Sequence, residues 1–107
     1  MEFLTRMEEI FLLTVHRLDP EAYGVTIRGA VEELLGKSVS VGAVYVPLDR
    51  LAERGYLETS HSAPTPERGG RQKKYFKLTQ KGINILGETK SLQDALWENV
   101  PSLGSAQ

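Results

Sequence analysis

Six cations crowd into one stretch of this sequence. Arg68, Arg71, Lys73, Lys74, Lys77 and Lys81 lie between positions 67 and 87 with only Glu67 to oppose them, a local charge of +5 in a chain of net charge −1. The remaining segments are acidic or neutral: −4 over residues 1–35, 0 over 36–66 and −2 over 88–107. Taken whole, the near-zero charge argues against a nucleic-acid partner. Taken by segment, it is the footprint of a small module that touches a few phosphates. The same lysines can also serve only to keep an edge strand soluble.

Other chemistry is poorly supplied. His16 and His61 are the only histidines, far apart in the chain, and neither stands at a metal-ligand spacing or beside a nucleophile. Glu8-Glu9 and Glu32-Glu33 are carboxylate pairs on amphipathic segments, where a solvated face accounts for them. Gly69-Gly70 reads as a turn and not as a phosphate-binding loop. Cysteine is absent, which excludes disulfides, thiolate metal sites and thiol nucleophiles. The chain is therefore read as a non-enzyme with neither cofactor nor metal.

The elements that must carry the cations follow from local signals. Ser40 is placed to cap a helix by accepting from the backbone N–H of Gly42 or Ala43, and Val41, Val44, Leu48 and Leu51 recur at spacings of three and four along one face. Gly55 supplies its left-handed stop. Tyr56 to Thr59 then alternates as a half-buried strand does. Tyr75 to Thr79 repeats the pattern with Phe76 and Leu78 on one side. Between them Pro64, Pro66, Gly69 and Gly70 interrupt both strands, so a hairpin with a long exposed tip is expected. A capped helix followed by a basic hairpin is the layout of a DNA-reading helix and its wing.

Towards the front, Thr5 and Glu8 form a capping-box pattern, and Met7, Ile10, Phe11 and Leu18 give a first helix that Asp19-Pro20 ends. A second helix is expected from Gly24 to Leu35, with Ile27, Ala30, Val31, Leu34 and Leu35 inward and Gly36 as its stop. The link Lys37-Ser38-Val39 is short, as the turn of a helix-turn-helix should be. Thr79 is placed to cap a fourth helix carrying Ile83, Ile85, Leu86, Leu92 and Leu96, with Gly87 weakening its middle. With 107 residues there is room for one domain and a modest core, so help from a partner subunit is expected. The apolar stretch from Ile10 to Val15 is too short and too acidic in its flanks for a signal peptide or membrane span. A soluble cytoplasmic protein is the expectation.

Leu4-Thr5, Tyr23-Gly24, Gly42-Ala43-Val44-Tyr45 with Leu48-Asp49-Arg50-Leu51, Gly55-Tyr56, Gly69-Gly70-Arg71 and Lys74-Tyr75-Phe76 with Leu78-Thr79 together resemble the PadR family of bacterial transcriptional regulators. The resemblance covers roughly residues 3 to 87. It implies a mostly α protein with a small β-hairpin: a winged helix-turn-helix over 1–79 and a single C-terminal dimerisation helix over 80–100; the tail over 101–107, by its own composition, is expected to be disordered. It further implies a homodimeric repressor on an inverted-repeat operator in double-stranded DNA, released in many members by a small phenolic or planar aromatic effector. The resemblance also admits a proline such as Pro47 inside the third helix, so that residue is read as shape and not catalysis.

The expected DNA contacts come from three places. Ser38, Ser40, Gly42 and Ala43, in and after the turn, let the third helix approach the major groove with its first turn foremost. Tyr45 one turn on either reaches a phosphate or base edge or packs on the second helix, and Arg50 either contacts DNA or pairs within the protein. In the wing, Arg68, Arg71, Lys73 and Lys74 are expected on phosphates, where they position without specifying. The resemblance adds Tyr23 as a phosphate donor. For the dimer, Leu4, Met7 and Phe11 of the first helix are expected against Leu92, Leu96 and Trp97 of the fourth. Trp97 has a second reading, as the wall of an effector cavity between subunits. A winged helix that docks a protein and not DNA is the alternative from another functional class.

Overall fold

The computed structural model describes residues 2–62 and 72–100. Their order is α1 (Arg6–Leu18), α2 (Gly24–Leu35), α3 (Val41–Glu53), β1 (Leu57–His61), β2 (Lys74–Leu78) and α4 (Gln80–Trp97). This is the mostly helical, winged helix-turn-helix arrangement expected. Each expected cap is present. Thr5 and Glu8 form a reciprocal capping box, the Ser40 hydroxyl accepts from Ala43 N–H and the Thr79 hydroxyl accepts from Gly82 N–H.

The ends of α2 and α3 rest on glycine. Gly36 and Gly55 take φ of 70° and 84°, where a β-carbon is strained. At the end of α3, Tyr56 N–H donates to the Leu51 carbonyl and Gly55 N–H to that of Ala52, the paired bonds of a Schellman motif. The motif turns the chain straight into β1. Strands β1 and β2 then pair antiparallel, Leu57 opposite Leu78 and His61 opposite Lys74. Phe76 N–H donates to the Ala22 carbonyl, which ties the hairpin to the start of α2.

One core joins all these elements. Phe11, Leu12 and Val15 of α1, Ile27 and Val31 of α2, and Val44, Leu48 and Leu51 of α3 close over Tyr56, Leu57 and Phe76, with Ile85 sealing one side from α4. Three residues expected inward are exposed: Leu34, Val41 and Ile83. Each sits at the margin of its helix's apolar arc, where periodicity assigns a face but no neighbour arrives to cover it. Phe11 departs the other way. It is 1% exposed within its own subunit, so it fills this core and offers no surface to a partner.

The first turn of α4 also belongs to that core. Gly82 is buried there, and a β-carbon on it would lie 2.3 Å from the Tyr56 carbonyl oxygen. The first turns of α4 are thus packed against the hairpin, while its later part carries the exposed Leu92, Leu96 and Trp97. α3 continues through Pro47 and α4 through Gly87 without interruption.

Candidate nucleic-acid interface

The turn before α3 is held from behind. Arg28 Nε donates to the Val39 carbonyl at 2.7 Å and Val39 N–H donates to Glu32 Oε2 at 2.8 Å. Both backbone polar groups of Val39 are thus satisfied by α2, which fixes the turn and the angle at which α3 emerges. The carboxylate of Glu32 is structural, and so is that of Glu8, which pairs with Arg54 at 2.7 Å. The capping-box pattern gives Glu8 a local role in the sequence, but neither ion partner can be read from it.

Ser38, Ser40, Gly42 and Ala43 are all exposed at the start of α3, as a groove-facing turn requires. Nothing lies within 4 Å of a β-carbon built on Gly42, so open space surrounds it. Tyr45 is partly exposed, with its ring laid against α2: a β-carbon on Gly24 would lie 1.7 Å from its hydroxyl oxygen. Packing on the second helix is therefore observed, and it holds the hydroxyl beside the first turn of α2. Arg50 is exposed and makes no ion pair among the described residues.

Tyr23 is the N-terminal boundary residue of α2 and meets Tyr75 of β2 edge to face, ring centroids 5.4 Å apart. Lys73 Nζ lies 4.6 Å from the Tyr23 ring centre. That cation–π contact carries an exposed lysine across from the wing to the helix-turn-helix. Lys74 behaves differently. Its Nζ is 3.0 Å from Asp49 Oδ1 of α3, which offsets its charge and braces the wing against the third helix. Lys81 is likewise occupied, donating to the Arg54 carbonyl at 2.7 Å. Arg68 and Arg71 lie outside the described residues.

Two contacts join the third helix, the second helix and the wing: Tyr45 of α3 lies over Gly24, and Lys73 lies over the neighbouring Tyr23. One outward residue escaped the sequence reading. Val46 is 49% exposed, on the side of α3 away from Val44 and Leu48. A helical-wheel count from the buried positions would have found it.

The dimer candidates lie elsewhere. Met7, Leu92, Leu96 and Trp97 are exposed, joined by Phe3 and Val100. Between the N-terminal segment and α4 is a groove of about 250 Å³ lined by Phe3, Leu4, Leu92 and Leu96 among others. Gln93 Nε2 donates to Glu9 Oε1 at 3.1 Å, fixing α4 against α1 beside it. Among the described residues no group of three or more His, Asp or Glu is placed to hold a metal, and no helix is long and apolar enough to cross a membrane.

A helix-turn-helix with a hairpin packed beside its third helix defines a winged-helix DNA-binding fold. Residues 12–88 match the model of the Transcriptional regulator PadR-like family, and the chain belongs to that family, whose members are transcription factors and not enzymes. Among solved structures it is similar to a PadR-like transcription factor from Bacteroides fragilis, with 32% identity over 88% of this chain and 85% of that one and a TM-score of 0.75. A PadR-like transcriptional regulator from Bacillus cereus is 24% identical over 94% and 93% of the two chains, TM-score 0.71. A PadR family regulator from Eggerthella lenta is 22% identical over 95% and 87%, TM-score 0.69. The last two speak to the fold alone. No curated protein matches the chain.

Proposed function

We propose that this DNA-binding regulator acts in the cytoplasm as a homodimeric repressor on an inverted-repeat operator. The first turn of α3 enters the major groove, Tyr23, Tyr45 and Lys73 meet the flanking phosphates, and the wing follows the backbone. The observation that carries this reading is the chain of contacts that runs from the exposed start of α3 through Tyr45 and Gly24 to the Tyr23–Lys73 pair. The opposite duty, dimerisation, falls to the exposed run of Met7, Leu92, Leu96 and Trp97, with the later part of α4 crossing to the partner. A planar aromatic or phenolic effector stacking on Trp97 would act from that interface. Selection of duplexes from genomic fragments that include the chain's own upstream region tests the reading. Recovery of a palindromic sequence supports it, and recovery of no sequence above random overturns it.

A further inference from the structure

The outward side of the first two turns of α3 is poor in hydrogen-bonding groups. Val44, Leu48 and Leu51 define the buried face. At about 100° per residue, Gly42 and Val46 lie on the opposite side, with Ala43 beside them. Val41, half-exposed, stands at the same end of the helix. The polar side chains nearby are mostly committed or displaced. The Ser40 hydroxyl accepts from Ala43 N–H, the Tyr45 hydroxyl is held beside α2, and Asp49 pairs with Lys74. Arg50 follows only one turn after Val46, and no asparagine or glutamine occurs in the helix.

A surface of this kind reads base edges by apolar contact. In the major groove the one apolar feature of a base pair is the C5-methyl group of thymine. Val46 is the largest side chain on the outward line of the first turns, and Gly42 before it leaves room for the groove wall to come close. The exposed cation Lys73 on the wing supplies the electrostatic complement that makes duplex DNA the occupant. We propose that Val46, with Ala43 beside it, recognises a thymine methyl group, so that each operator half-site carries a T·A pair beneath the start of α3. The inference rests on the DNA-binding reading above and adds to it the chemical group that is read.

The test uses a duplex enriched by this protein from a random pool, resynthesised with deoxyuridine at one thymine position at a time. Deoxyuridine keeps every hydrogen-bonding group and removes only the methyl. At one position per half-site the wild-type protein is expected to bind about fourfold more weakly, the worth of one buried methyl-sized group. Val46→Ala is expected to bind the thymine duplex more weakly by a similar factor and to lose the distinction between the two duplexes. Its thermal transition should match wild type, because position 46 lies outside the core. Equal wild-type affinity for thymine and deoxyuridine at every position, with salt-dependent binding intact, overturns the inference alone. A deoxyuridine penalty that persists undiminished in Val46→Ala overturns the assignment to that residue. Failure to retain any duplex at low salt overturns the DNA-binding reading itself.

Discussion

The hydroxyl of Tyr45 on α3 rests over Gly24 at the first turn of α2, so closely that a β-carbon on residue 24 would come within 1.7 Å of it. The two helices of the helix-turn-helix meet at that point through an aromatic ring and a missing side chain. Because the ring is partly exposed and its tip is the group displaced, Gly24→Ala is expected to swing Tyr45 into solvent at a cost of only about 1 kcal/mol. Operator affinity should fall by a larger factor than stability does. Tyr45→Phe keeps the packing and removes the hydroxyl. Paired melting and anisotropy measurements on both variants separate the two effects, and a Gly24→Ala protein with wild-type affinity would refute the link.

At Gly82 the outcome is reversed. A β-carbon there meets the Tyr56 carbonyl at 2.3 Å and Leu78 at 2.8 Å, backbone and packed core with nowhere to move. Gly82→Ala is expected to cost about 3 kcal/mol, read as a lowered denaturation midpoint with little change in slope. A midpoint within error of wild type would show that α4 is free to shift away from β1.

The two wing lysines should differ. Lys73 is exposed over Tyr23, whereas Lys74 is engaged with Asp49. Lys73→Ala is expected to weaken specific and random DNA alike and to flatten the plot of log K against log salt by about 0.9 per protomer, one phosphate contact. Lys74→Ala should change the slope less and loosen the wing instead. Gly42→Glu should abolish specific binding while the fold persists, since open space surrounds that position. Equal slopes for the two lysine variants would contradict the assignment.

Local signals made much of this fold legible in the sequence. Thr5, Ser40 and Thr79 cap the helices expected of them, and Gly36 and Gly55 stop theirs, because capping is settled by neighbours three or four residues away. The strands fall one or two residues from their expected bounds and pair as the expected hairpin, but their register could not be read locally. What remained hidden was long-range. That Lys74 would be met by Asp49, Lys81 by the Arg54 carbonyl and Tyr45 by Gly24 depends on elements docking, and a charge count sees only six cations. Phe11 shows the same limit. An apolar residue on a helix face reads alike whether its partner is its own β-hairpin or a second subunit. For the interface the sequence marked Ser38, Ser40, Gly42 and Ala43 by position in the turn and passed over Val46, whose exposure against the apolar pattern is its signal.

The later part of α4 carries the dimer prediction. Removing the chain after Leu86 deletes Leu92, Leu96 and Trp97 while keeping Ile85 in the core. The truncated protein is expected to sediment as a monomer and to lose operator binding. If Trp97 walls an effector cavity, Trp97→Ala keeps the dimer but loses response to planar compounds, and wild-type tryptophan fluorescence is quenched by those compounds; if Trp97 is plain dimer packing, the same change weakens the dimer. Fluorescence unchanged across a panel of phenolic and planar aromatic ligands would remove the effector role from Trp97.

Salt-dependent binding to an operator fragment tests the whole account most directly. The chain should shift a fragment recovered from its own upstream region with two protomers per site. Protection should appear in two half-sites about 34 to 36 Å apart, one duplex turn between recognition helices. Log affinity should fall linearly with log salt as counterions are displaced. A protein that stays monomeric at micromolar concentration and shifts no fragment at low salt would contradict it.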